Sequence, residues 1–541
     1  MFGILGSGKV KEEARLAQVA SNKLSPEDLQ EVKHVIVFPN YKEDEAMLAE
    51  TLTCIQEAKG SEHFCVVLAM EEREGEEARA KAGRLEARFA ASFAKIFATY
   101  HPATEVETHL DNTADQEVAG KASNLKWAVR EAYTRAKGAN IDMESAILTV
   151  ADADCLFHPY HFVLLTSEFL TMRSTPGEQH KWTMWQAPQL PYRNYYISPA
   201  PSRVWAYISS MYEFGGVSSI CSGGHHMVFS AYSVHMQLAM DAQLWDGDVI
   251  AEDHHAYLKG FFYSARQSAL EALDRTGDED DMRPPGCRPQ LRVRPVMLPV
   301  KSTSVISPDG YFQTWVERWH QAKRHCQGVA ELSYSLLAAW DMLCTLPRSA
   351  YNLHFVLQVI KVLAKPIFMH IVPIAQAIAL GVLTCYWVLH RRSVPQCPDR
   401  IWMASSDGET LLCGLAGAWA LTWPVLIPYM LVATANYRFM ACSFLEPKAE
   451  QAKGGAPLSV WHAADGDIEP TLGSKSLTLV GLILFDAAVL MGPLMVPYGL
   501  FAEVCGCWNV LCKGNHFKYV TAAKLTGAPV TSYGTMKSDD P

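Results

Sequence analysis

A chain of 541 residues, 49% of them hydrophobic, is long enough for a large buried core and too long for one typical domain. A net charge of -10 and a pI of about 6.0 argue against nucleic acid as the main partner. The 14 cysteines are scattered singly, which excludes the disulfide framework of a small secreted protein.

Residues 1–30 are polar, helical or loose, and the first ten hold no apolar run of signal-peptide length. Residues 34–39 read as an apolar strand stopped by Pro39. Residues 41–45 then open a helix with acids in its first turn, and Met47, Leu48, Leu52 and Ile55 keep helical spacing. Residues 64–70 form a second strand that runs into Glu71, Glu72, Arg73, Glu74 and a long Ala/Arg/Glu-rich helix. A polar loop from Asp111 leads into a helix through Arg130. Residues 146–150 are an apolar run of the kind a parallel sheet buries on both faces, and it ends in two carboxylates, Asp152 and Asp154. Strand, helix, strand, helix, strand is a doubly wound pattern. Residues 182–190 read as an edge strand, and 222–229 as a Gly-bearing turn (Gly223, Gly224) entering an apolar strand. Residues 248–255 bring a second acidic pair, Glu252 and Asp253, to the start of a helix. An acidic, Pro/Gly-rich insertion over 274–289, a last strand over 293–300 and a basic, aromatic helix over 315–328 follow.

The last third is apolar. Residues 366–390, 411–434 and 477–502 are each long enough to cross a bilayer. Residues 331–365 are apolar but interrupted by charges, which suits amphipathic helices at the interface. A tail over 503–541 carries Cys505, Cys507 and Cys512, which lack a clear fourth partner for a metal knuckle.

Four polar groups recur beside the strands: Asp152/Asp154, Gln186 to Gln189, Glu252/Asp253, and Gln321, Arg324 and His325. Two Asp at the carboxyl end of a strand can hold a hard cation such as Mg²⁺ or Mn²⁺, which as a Lewis acid neutralises a diphosphate leaving group. A carboxylate at Asp253 can take a proton from an incoming hydroxyl. Gln321, Arg324 and His325 share one helical face, and an Arg there can bind phosphate bidentately.

With these groups in this order, the chain resembles glycosyltransferase family 2, in the membrane-integrated branch that includes cellulose, chitin and hyaluronan synthases and ceramide glucosyltransferase. The opening motif is matched by Pro39, Asn40, Tyr41, Lys42 and Glu43, and the Gly-Lys element by Gly120 and Lys121. The Asp-x-Asp is matched by Asp152 and Asp154, the Glu-Asp by Glu252 and Asp253, and the Gln-x-x-Arg-Trp motif by Gln321 and Arg324, with His325 in place of the Trp. The resemblance implies a GT-A, Rossmann-like α/β domain over 31–330, followed by a multi-pass transmembrane region. It implies an inverting transfer from a nucleotide-diphosphate sugar, of UDP type, to a glycan or lipid acceptor, with the catalytic domain facing the cytosol. Asp253 would be the base beside Glu252, and Asp154 with Asp152 would hold the metal. Pro39, Tyr41, Glu43, Glu71, Lys121, Asp152, Gln321 and Arg324 would bind the donor. Glu71 stands where the family places an Asp that reads the base. Gln189, Gly223, Gly224 and His325 would face the acceptor. The rival readings are a non-processive lipid glycosyltransferase and a membrane binding protein that has lost catalysis. Trp315 and Trp319 read either as interface anchors or as sugar-stacking rings.

Overall fold

A computed structural model describes residues 2–108, 114–138, 142–191, 193–194, 198–217, 227–275, 289–372, 374–375, 378, 382, 460–463, 485–490, 494 and 496–514. A long helix, α1 (Phe2–Lys23), and a short one, α2 (Pro26–Glu31), lead into β1 (Lys33–Asn40). Then follow α3 (Glu45–Gln56), β2 (Cys65–Glu71), α4 (Glu76–Phe89), β3 (Lys95–His101), the hairpin of β4 (Val106–Thr108) and β5 (Ala114–Gln116), α5 (Lys121–Gly138), β6 (Ala146–Val150) and α6 (His161–Arg173). The second half of the domain holds β7 (Thr183–Gln186), β8 (Gln189–Leu190), α7 (Ala200–Val217), β9 (Tyr232–His235), α8 (Met236–Asp241), α9 (Glu252–Arg275), β10 (Arg292–Pro295), β11 (Val300–Lys301) and α10 (Tyr311–Cys326).

Seven strands make one sheet in the order β10-β7-β9-β6-β1-β2-β3. The run from β6 to β3 is parallel, β9 is antiparallel to both its neighbours, and β10 is parallel to β7. The central strands are buried on both faces, which is why they read as continuous apolar runs rather than alternating ones. Val35, Val37, Val67, Ala69 and Leu148 pack toward α5 and α9. Ile36, Phe38, Val66, Leu68 and Ile147 pack toward α3, α4 and α6. Helix α3 starts where Asp44 accepts the Ala46 N–H at 3.0 Å, and Met47, Leu48, Leu52 and Ile55 are its buried stripe, as their spacing predicts.

The strand boundaries differ from the sequence reading in four places. Pro39 lies inside β1, in register with Ala69, but beyond the last pair with β6 at Val37, so it sits where a strand has one neighbour. Residues 183–186 are interior, between β10 and β9; the polar Gln186 that suggested an edge is buried and satisfied by Phe229 N, Ala187 O and Ala231 O. The strand expected to follow a Gly turn begins only at Tyr232, and residues 293–300 divide between β10 and β11, which pairs with β8. Gly223 and Gly224 lie outside the described residues.

Beyond the domain come α11 (Ala330–Thr345), α12 (Leu353–Pro366), a π-turn over Ile367–Ile371, and α13 (Ala502–Lys513). Among the described residues one helix, Leu353–Ile371, is long and apolar enough to cross a membrane. It lies mostly in the stretch expected at the interface and overlaps the 366–390 span only at its end. The 411–434 span lies outside the described residues, and 477–502 is described only in part. Leu353, Leu357, Ile360 and Phe368 are exposed along one stripe of that helix, as are Leu337 and Trp340 on α11.

The C-terminal segments are fastened to the domain. Asp486, fully buried, takes two hydrogen bonds from the Arg203 guanidinium at 2.7 and 2.9 Å. His370 meets Glu503 at 2.7 Å. Gly506 lets α13 lie against α10: a Cβ there would stand 2.7 Å from the Cys326 carbonyl carbon. Gly506→Val is expected to cost about 1–3 kcal/mol by overpacking, read as a lower melting temperature in detergent. Gly83→Ala, on α4 with nothing within 4 Å of the new Cβ, is the control and is expected to leave stability equal or higher.

Candidate active site

Three chain segments meet at the carboxyl edge of the sheet. The chain leaves β6 through residues 151–155, Lys121 opens α5 and Glu252 opens α9. The Lys121 ammonium lies 2.7 Å from Asp152 Oδ1 and 2.5 Å from Glu252 Oε1, tying the strand end to the helix start. Burial opposes its charge, but Asp152, Glu252 and Asp253 outweigh burial and hold its pKa well above the ordinary lysine value. Burial raises the Glu252 carboxyl to about 7, against the pull of Lys121 and with the repulsion of Asp253 added. Burial likewise raises Asp253 to about 6, again against Lys121. Asp253 Oδ1 accepts the His254 N–H at 2.8 Å in the first turn of α9, where the helix end favours an anion.

Asp154 is fully buried, and its Oδ2 accepts two bonds from Thr303, N–H at 2.8 Å and Oγ1–H at 2.6 Å. Arg193 donates to the Asp154 carbonyl at 3.3 Å and pairs with Glu50 at 2.6 Å. Asp152, Asp154 and Cys155 can each present one ligand atom, all within 4.8 Å of one another. The two carboxylates suit a hard cation; the thiol does not. Gln189 is buried with its amide 3.5 Å from Cys155 Sγ.

At the β2 and β3 ends, buried Glu71 meets His101 Nδ1 and Arg73 Nε, each at 3.3 Å. His101 Nε2 meets Glu117 at 2.9 Å. Burial alone would lower the His101 pKa, but the two carboxylates lift it to about 9, so the ring is a cation at neutral pH. The Arg73 guanidinium stacks 3.8 Å from the Tyr41 ring centroid. Lys42 is left-handed at φ 60, with its N–H on Glu74, and the Glu43 carbonyl takes Lys81 at 3.0 Å. Asn40 ends β1 buried, with neither amide atom partnered among the described residues.

On α10, Gln321 Oε1 accepts from Arg318, and Arg324 is half-buried. His325 lies 6.4 Å from Trp205 between ring centroids. By surface area His325 is exposed on α10. Desolvation there, with Arg324 and Arg318 adding repulsion, holds its pKa well below the ordinary value, so the ring is neutral. Trp319 packs against the cluster of Ala200, Val204 and Tyr498, and Trp315 lies beside Tyr311.

The carboxyl edge thus brings together Lys121, Asp152, Glu252 and Asp253, with Asp154 on the same loop. Thr303, Arg73 and His101 contact the candidate residues Asp154 and Glu71 and were not singled out by the sequence reading. Arg73 was signalled by its place at the end of β2; Thr303 and His101 belong to no motif.

No family model matches the chain, and no curated protein matches it in sequence. Among solved structures the chain is similar to a mannosyltransferase from Pyrobaculum calidifontis, solved with GDP-Man and Mn²⁺, at 12% identity and a TM-score of 0.31, over 91% of this chain and 97% of that one.

Lys121→Met leaves buried carboxylates without their shared cation and is expected to cost about 3–5 kcal/mol at neutral pH. Glu252 and Asp253 bind protons more tightly folded than unfolded. Their contribution to stability therefore declines as pH rises from the ordinary carboxylate value near 4.5 towards about 7. Urea melts across this range should show that decline, steeper in Lys121→Met and shallower in Glu252→Gln.

Proposed function

We propose that this protein is a membrane-bound inverting glycosyltransferase that takes a sugar from a nucleotide-diphosphate donor, of UDP type. The observation that carries the reading is the Lys121 bridge, which brings Asp152 and Glu252, with Asp253 beside it, around one ammonium at the carboxyl edge. Asp253, ionised above about pH 6, accepts the proton of an acceptor hydroxyl. The hydroxyl oxygen bonds to the anomeric carbon from the face opposite the donor diphosphate, whose bond to that carbon breaks, so the configuration inverts. Lys121 and Arg324 offer cationic charge to the leaving diphosphate. A divalent cation, Mg²⁺ or Mn²⁺, fits Asp152 and Asp154 and would add counter-charge to the same group. Arg73 and Tyr41, stacked beside Glu71 at the end of β2, offer a flat cationic surface for the nucleobase.

The acceptor is a glycan or lipid that meets the exposed His325. Imidazole covers less of a sugar ring than the indole it replaces, which favours a short product or a single transfer over a long chain. The exposed apolar stripes of α11 and α12 support contact with a membrane, with the domain on the cytosolic side.

The test is turnover of purified full-length protein with a panel of labelled nucleotide sugars, with the product sized. Asp253→Asn is expected to lower transfer by roughly 10²–10⁴ with donor affinity kept. Wild-type rate should rise with pH through about 6, the value at which Asp253 loses its proton. Excess chelator should abolish turnover, and added Mg²⁺ or Mn²⁺ should restore it. Full activity in chelator sinks the metal-assisted reading; an unchanged rate in Asp253→Asn removes Asp253 as the base.

A further inference from the structure

Arg318 is a cation buried without a counter-ion among the described residues. It is 3% exposed, and its guanidinium lies 4.3 Å from the Trp205 ring centroid. Nη1 donates to Gln321, while Nε and Nη2 have no partner among the described residues. These two groups carry their hydrogens on the same side of the planar guanidinium, the fork that meets two oxygens of one anion. The same region shows what a satisfied fork looks like: Arg203, on α7 as Trp205 is, holds both carboxylate oxygens of Asp486. Arg318 has the fork and lacks the carboxylate.

The surroundings favour a phosphate over a carboxylate. Arg324, six residues further along α10, adds positive potential at Arg318, and burial together with that repulsion lowers the Arg318 pKa to about 9. A site with two guanidinium groups in one field balances a group of more than one negative charge. His325, seven residues on from Arg318, shares its helical face and also neighbours Trp205, so the fork and the exposed imidazole lie along one line. At the other end of the helix Tyr311 and Phe312 are exposed, an apolar edge two turns from Arg318.

We propose that Arg318 is a phosphate-binding residue that grips two oxygens of a ligand phosphate through Nε and Nη2, between the exposed His325 and the apolar start of α10. The phosphate belongs either to an amphipathic lipid, whose chain would leave past Tyr311 and Phe312, or to a soluble nucleotide. The inference stands apart from the transferase reading, since binding is read without turnover.

The experiment uses the full chain in detergent. Melting is followed in inorganic phosphate against chloride at equal ionic strength, then with short-chain phosphatidic acid and with UDP. Wild type should be stabilised by phosphate, and Arg318→Met should need at least about tenfold more phosphate for the same shift. Arg318→Lys keeps the charge but not the fork and should fall between the two; it also serves if Arg318→Met does not fold. Loss of the phosphatidic acid shift alone assigns the phosphate to a lipid, and loss of the UDP shift alone assigns it to a nucleotide; either supports the site. Equal shifts in wild type and both variants, or no shift in wild type with any of the three probes, overturns it.

Discussion

The arrangement at the carboxyl edge depends on one ammonium. Lys121 is the first residue of α5, a place where the helix end disfavours a cation, and α5 carries no acid in its first turn. Its position is therefore set by the carboxylates it meets. The start of α5 is pinned independently: Ser123 Oγ accepts the Gly120 N–H at 3.1 Å, and Asn124 donates to the Ala69 carbonyl at 2.8 Å. Lys121 is thus held at a fixed point while Asp152 and Glu252 close on it from β6 and α9. Without that charge, Asp152, Glu252 and Asp253 would repel one another in a poorly hydrated site, and the strand end and helix start would have no reason to converge.

A second network reaches the same helix from the far side. Glu71, His101, Glu117, Lys126 and Glu107 form an unbroken chain of ion pairs, and Glu107 ends on the Gly247 N–H at 2.5 Å. A Cβ on Gly247 would stand 2.5 Å from the Glu117 carboxyl carbon, so a larger residue there has to push that side chain away from His101 and Lys126. The neighbouring Asp246 takes His255 at 2.8 Å, and His255 takes Glu331 of α11 at 2.8 Å. The ends of β2 and β3, the loop before Asp253 and the first apolar helix are therefore one electrostatic unit. Changes to its members should combine non-additively.

The sheet was largely legible because burial on both faces leaves uninterrupted apolar runs at β1, β2 and β6. The carboxylates were legible because strand ends are where such sheets place polar chemistry. Strand β7 was legible as a strand but not as an interior one: buried Gln186 is satisfied by backbone groups brought from Phe229 and Ala231. Thr303 could not be found locally: its hydroxyl matters only because β11 runs beside residue 156 and sets it against Asp154. Arg318 lay three residues before a recognised Gln, and only the absence of a counter-ion among the described residues singles it out. The candidate membrane helix over 353–371 begins inside the stretch read as interfacial, because Lys361 and Lys365 interrupt the apolar run without closing the exposed stripe.

The wall behind Asp154 draws on residues far along the chain. Lys301, buried two residues before Thr303, donates to the Trp461 carbonyl at 2.5 Å and lies 3.8 Å from the Trp461 ring centroid. His158 meets the same indole at 4.7 Å between centroids. A chain ending near residue 330 would lack Trp461, Asp486 and Glu331, which are partners of Lys301, Arg203 and His255. Each loss removes a partner and the cover from a charge that the intact protein buries. The apolar third is therefore part of the framework around the candidate site, and the wall behind Asp154 includes Trp461 as well as β6.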